Sequence, residues 1–151
     1  MEEVDVVNGC IKVENSVASL YSKLMQVFPE NKAFWEGLLN DEREHIAFLT
    51  DVKAQGLISE MEKMELPPSV KLIQSSLKMV EKAGSRISDE PITMKNALKL
   101  VLKIEESLVE VYTNEMIENL LSCEDGASYD ELKNGEKEHV ERIRKEMKKT
   151  K

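Results

Sequence analysis

Asn40-Asp41-Glu42-Arg43-Glu44-His45 and Asn134-Gly135-Glu136-Lys137-Glu138-His139 hold the only two histidines of the chain. Each is an E-x-x-H step with a second Glu directly before the His. Residues three apart on a helix share a face, so each step aims a carboxylate and an imidazole at one point. A single step of this kind is weak, because exposed helices are rich in i,i+3 pairs. Two steps, each with a matching Asn and second Glu, argue strongly for a shared constellation. Joined by two further inward glutamates, they would make the ligand set of a carboxylate-bridged dimetal site inside a four-helix bundle.

The further glutamates are found upstream of each step. Val7, Cys10, Ile11, Glu14, Val17, Ala18, Tyr21, Leu24, Met25 and Phe28 recur at spacings of three and four, which predicts a helix over about 4–28 that Pro29 ends. Glu14 stands inside this apolar stripe, where an unanswered carboxylate costs several kcal/mol. Either a protein cation or water answers it, or a bound metal does. Shifted by 91 positions, this helix falls on a third one: Val7 on Leu98, Cys10 on Val101, Glu14 on Glu105, Tyr21 on Tyr112 and Met25 on Met116. Glu106 adjoins Glu105 and competes for the inward place, but the shared E-x6-Y spacing favours Glu105. The second helix, about 32–55, begins after Asn31 as N-cap and stops at Gly56. Shifted by 94, its Ala33, Leu38, Asn40, Glu42, Glu44 and His45 meet identical residues in the fourth. The two halves read as copies.

Between the pairs lies a crossover, 57–93, with Pro67-Pro68 and a modest helix over about 69–82. Gly84, Ser85 and Pro91 predict a break. The third and fourth helices are expected over about 94–121 and 129–148, separated at Gly126. The expected fold is all-α: two helix pairs, 4–55 and 94–148, in a single domain over 1–151. The crossover helix carries its own apolar stripe, which needs a surface. It can cap its own bundle or dock on a second copy, and a homodimer is expected.

The bulk numbers agree with a helical domain. The chain has 151 residues, few glycines and prolines, and a third of its residues charged. Its net charge of −8 argues against nucleic acid, which needs a basic face. Cys10 and Cys123 form no C-x-x-C pair, so no rubredoxin-like or zinc-ribbon module is expected. No charged-then-apolar leader opens the chain, and no apolar run approaches the ~18 residues of a membrane span. A soluble, cytoplasmic protein without a membrane partner is expected.

Other residues admit two readings. Tyr21 and Tyr112 are core aromatics or donate hydroxyls to ligand carboxylates. Glu44 and Glu138 adjoin the histidines but point about 100° away, so they belong to a surface or bundle edge. The methionines read as core filler, and Trp35 as packing at a bundle end.

Taken together, these motifs resemble the ferritin-like superfamily of diiron-carboxylate proteins, near the rubrerythrins and bacterioferritins. The resemblance covers the four long helices. It implies a ferritin-like four-helix bundle with metal ligands Glu14, Glu42, His45, Glu105, Glu136 and His139, of which Glu42 and Glu136 bridge. It implies two iron ions, with manganese or zinc able to occupy the same ligands. The chain departs from the rubrerythrin pattern: Leu108 stands where an extra Glu is usual, His139 where an acid is usual, and no rubredoxin domain is expected. It departs from the bacterioferritins too, since Arg43 and Glu44 leave no haem-binding Met, so no haem is expected. Only a short basic tail follows the fourth helix, where cage-forming ferritins have a fifth. The implied function is redox chemistry toward peroxide or dioxygen, with an external donor such as rubredoxin. The alternative is an iron-binding or storage protein without turnover.

Overall fold

A computed structural model describes residues 3–54, 70–107, 110, 111, 113 and 135–150, except the side chains of 3–6, 52, 70 and 135–138. Every regular element among the described residues is helical. Helix α1 spans Glu3–Val27, and a single 3-10 turn, Pro29–Asn31, leads into α2, Lys32–Ala54. Pro29 suits the first position of that turn because it lacks the N–H a continuing helix would use. The chain reverses there through the bonds Phe28 N to Leu24 O, 2.9 Å, and Asn31 N to Phe28 O, 3.0 Å. Helix α2 then lies along α1. Trp35 is fully buried at this end, edge-on to Phe34 at 4.9 Å and near Phe28 at 6.5 Å between ring centroids.

Helix α3 spans Val70–Asp89, longer than the modest helix expected over 69–82. Gly84 and Ser85 lie inside it, and the break falls at Glu90–Thr93 instead. The apolar period explains the correction. Ile73, Ser76, Val80, Ala83 and Ile87 are buried at spacings of three and four, and that run passes straight through Gly84. The stripe needs a surface, and α1 of the same chain provides it. Gly9 permits the approach, because a Cβ there would stand 2.8 Å from Ile73 Cγ2. Lys23 Nζ donates to Gly84 O at 3.3 Å beside it.

Helix α4 spans Met94–Glu105, started by Thr93, whose Oγ1 accepts from Asn96 N at 3.1 Å. Such a cap contributes about 1 kcal/mol. The uninterrupted third helix expected to 121 is not observed. At Ser107 the backbone N–H bonds Ile104 O, three residues back, and the helical path is interrupted over Glu106–Ser107. Residues 110, 111 and 113 are helical again, while 114–121 lie outside the described residues. Helix α5, Gly135–Lys149, lies along α4; the expected start near Tyr129 lies outside the described residues. No described helix is long and apolar enough to cross a membrane.

Candidate metal centre

The core is not uniformly apolar. Glu14, Glu42 and Glu105 are fully buried, and Glu110, His45 and His139 are at most 3% exposed. They come from α1, α2, α4, the helical residues after it, and α5. Glu14 arrives because it occupies the inward row of α1 with Cys10, Val17 and Tyr21. On α2 the i,i+3 step carries Glu42 and His45 to the same side. His45 Nδ1 stands 3.8 Å from Glu14 Oε1 and 4.0 Å from Glu42 Oε2. His139 Nδ1 stands 3.7 Å from Glu105 Oε2. The two imidazole rings stack with centroids 5.3 Å apart.

These residues form two groups whose donor atoms lie within 4.8 Å of one another: Glu14, Glu42 and His45, and Glu42, Glu105 and His139. Glu42 belongs to both. Either group could hold a metal ion. The fit goes beyond proximity. Both carboxylate oxygens of Glu14 and of Glu42, one of Glu105, and the Nδ1 atoms of both histidines are buried without a hydrogen-bond partner. Buried polar groups are ordinarily satisfied, and each orphan costs about 1–3 kcal/mol, more if charged. Oxygen and imidazole donors turned toward common points are what a divalent cation needs.

Without a cation, protons must neutralise the cluster. Burial, with the negative charge of Glu14, holds the Glu42 carboxyl well above its ordinary range. Glu110 is raised in the same way by burial and by Glu14 and Glu105. Burial alone would also raise Glu14, but contact with Glu42 and His45 outweighs it and leaves Glu14 low. Carboxylates sharing a dry site cannot all ionise. Tyr21 is kept neutral chiefly by burial, with Glu105 and Glu42 adding to the shift, and its hydroxyl donates to Glu105 Oε1. Of the two readings of Tyr21, the structure shows the carboxylate-orienting one; Tyr112 lies outside the described residues.

Sequence reasoning missed Glu110. It lies five residues after Glu105, and in a regular helix five residues place side chains about 140° apart. The interruption at Glu106–Ser107 removes that obstacle and lets both glutamates face inward. Glu106 turns out instead, exposed, and pairs with Arg144 at 3.4 Å. Cys10 and Thr113 accompany Glu110: the thiol bonds Thr113, and burial pushes its pKa up to about 11. No periodicity rule announces Glu110, because its helical register depends on the break.

Asp41 was also missed. It precedes Glu42 and reaches His139 Nε2 at 3.0 Å, while Arg142 Nη1 donates to the same Oδ2 at 2.7 Å. Burial disfavours a charged His139, but the Asp41 contact and the nearby Glu105 outweigh it and push its pKa up to about 10. A carboxylate on the outer nitrogen of a ligating histidine is the usual device for fixing ring and tautomer. The signal available was the i,i+3 step from His139 to Arg142 on α5.

Of the six expected ligands, the structure brings together Glu14, Glu42, His45, Glu105 and His139. The backbone of Glu136 belongs to α5, but its side chain lies outside those described. Glu44 is half-buried. No family model matches the chain, and neither a curated protein nor a solved structure matches it.

Proposed function

We propose that this chain is a ferritin-like dinuclear iron protein, redox-active toward peroxide or dioxygen. The observation that carries the reading is the sharing of Glu42 between two three-donor groups. One carboxylate placed between two sets, each with its own Glu and His, supports a bridged pair of ions over a single one. Helix order, the two E-x-x-H steps and the convergence of α1, α2, α4 and α5 support a four-helix bundle in which 57–93 is the crossover. Iron is favoured over zinc by the excess of hard oxygen donors, which hold the ferric state well.

Bound iron would supply the electrons passed to dioxygen or peroxide. The chain's own residues do the rest. Glu14, Glu42, Glu105 and the histidines would hold the ions, and Tyr21 steadies one oxygen of Glu105. Val17, Leu38, Leu98 and Val101, fully buried on the same helices, help exclude bulk water. Glu110 places an additional carboxyl near Glu14 that can carry a proton. Repeated turnover calls for an external donor, such as rubredoxin. A homodimer would have to use a face other than the α3 stripe, which α1 covers.

The test is anaerobic Fe(II) loading followed by peroxide or air. Two irons per chain, one rapid oxidation, and further cycles only with a donor present fit the proposal. Continued iron uptake beyond two per chain points to storage instead. Absence of iron binding at neutral pH rules the reading out.

A further inference from the structure

We propose that the two metal positions are unequal, and that Asp41 makes the Glu42–Glu105–His139 position the one that fills first. This rests on the dimetal reading above. The sequence repeat would make the positions equivalent, since His45 and His139 are copies at an offset of 94, as are Glu42 and Glu136. At the same offset, however, Asp41 falls on Gly135. Gly135 has no side chain, so the repeat cannot return to His45 the carboxylate that Asp41 offers to His139.

The geometry shows what that carboxylate does. His139 Nδ1 faces Glu105 at 3.7 Å, and Nε2 faces Asp41 at 3.0 Å. With Nε2 engaged by Asp41, Nδ1 is the nitrogen left to take a cation in exchange for any proton it carries. Asp41 is itself fixed by Arg142, one helical turn beyond His139 on α5, at 2.7 Å. One carboxylate thus ties α5 to α2 at the residue beside the shared Glu42. Glu105, the third donor of this position, is steadied by the Tyr21 hydroxyl. A donor set held in place loses less freedom when the ion arrives. Asp41 and Arg142 are positioning residues; neither belongs to either donor group.

Zn(II) alone is a suitable probe, followed by calorimetry and by 15N NMR of the imidazoles, which with only two histidines is unambiguous. Two binding steps are expected in the parent, with His139 Nδ1 shifting at the first equivalent and His45 Nδ1 at the second. Asp41→Ala should weaken the first step by roughly 10- to 100-fold and leave the second near its parent value. Asp41→Asn keeps an acceptor oxygen and should lose less, which separates the effect from misfolding. Arg142→Ala should act in the same direction but more weakly. Simultaneous shifts of both histidines, His45 shifting first, or equal weakening of both steps by Asp41→Ala would overturn the inequality while leaving the dimetal reading intact. No Zn(II) binding in the parent would overturn both.

Discussion

Helix α1 carries Glu14 through 25 unbroken residues, whereas α4, its copy 91 positions later, ends at Glu105. The position that repeats Ser19 of α1 is Glu110. Ser19 is exposed, and Glu110 is buried beside Glu14. One half therefore contributes its carboxylate on a regular helix packed by α2 and α3, and the other contributes two by interrupting the helix. The lesson is that a duplicated ligand pattern does not guarantee a symmetrical site. A short backbone interruption adds an acid that no ligand motif encodes.

The largest effect is expected at Glu42, where the halves meet. If it serves both donor groups, Glu42→Ala should lose both ions, not one. A ligand at a hundredfold excess over its Kd stabilises the folded state by about 2.7 kcal/mol per site. Thermal melts of the parent should therefore separate widely with and without chelator, and those of Glu42→Ala should nearly coincide. Loss of a single ion in the variant would break the picture of a shared carboxylate.

The extra acid makes the chelated protein sensitive to pH. Glu42 and Glu110 have raised folded pKa values. The stability they contribute is fully present below the ordinary glutamate value of about 4.3 and is lost as pH rises. His139, raised from 6.5 to about 10, contributes stability present below 6.5 and lost as pH rises toward 10. Glu14 and Asp41, both lowered, act in the opposite sense and only at the acid end. From pH 6 to 9 the midpoint without metal should fall by more than the roughly 2–4 °C that about 1 kcal/mol produces in a domain of this size. Metal competes with protons for the same donors, so the loaded protein should not show this fall. Glu110→Gln should flatten the chelated profile. An unaltered slope in that variant would assign the pH dependence to Glu42 and His139.

Tyr21 belongs to the regular half but steadies a buried carboxylate of the interrupted one. Tyr21→Phe leaves Glu105 Oε1 without its donor and should cost about 1.5–3 kcal/mol in urea unfolding of the chelated protein. A smaller effect is expected where α1 meets α3. Gly9→Ala gains up to about 1 kcal/mol of helix propensity but forces a Cβ onto the stiff, β-branched Ile73. Overpacking costs about 1–3 kcal/mol, so a net loss of about 1 kcal/mol should remain, relieved in a cycle with Ile73→Ala. At the smallest end, Glu106→Ala removes an exposed pair with Arg144 and should change stability by no more than about 0.5 kcal/mol. A loss above 1 kcal/mol would show that the interruption beside Glu105 depends on that pair.

Much of the cluster was legible because its signals are periodic. Glu14 interrupts an apolar row, and each E-x-x-H step fixes a shared face whatever surrounds it. Glu105 over Glu106 followed from the spacing to a tyrosine. What escaped the sequence breaks periodicity or depends on a partner far along the chain. Glu110 needs the irregular backbone at Glu106–Ser107. Asp41 acquires its role only from His139, 98 positions away. Gly84 was read as a breaker by its residue type, whereas the apolar row of α3 shows that packing overrode the local preference.

Trp35 gives the molecule a reporter that requires no label. It is the chain's single tryptophan, it is fully buried, and its ring centroid lies 6.2 Å from that of Tyr21. Tyr21 in turn touches Glu105. Light absorbed by that tyrosine can pass to the indole over so short a separation, and the emission arises in an apolar setting. Any rearrangement of the carboxylate cluster therefore reaches the fluorophore through one phenol ring. The intrinsic fluorescence of this protein should follow the state of its interior site in real time.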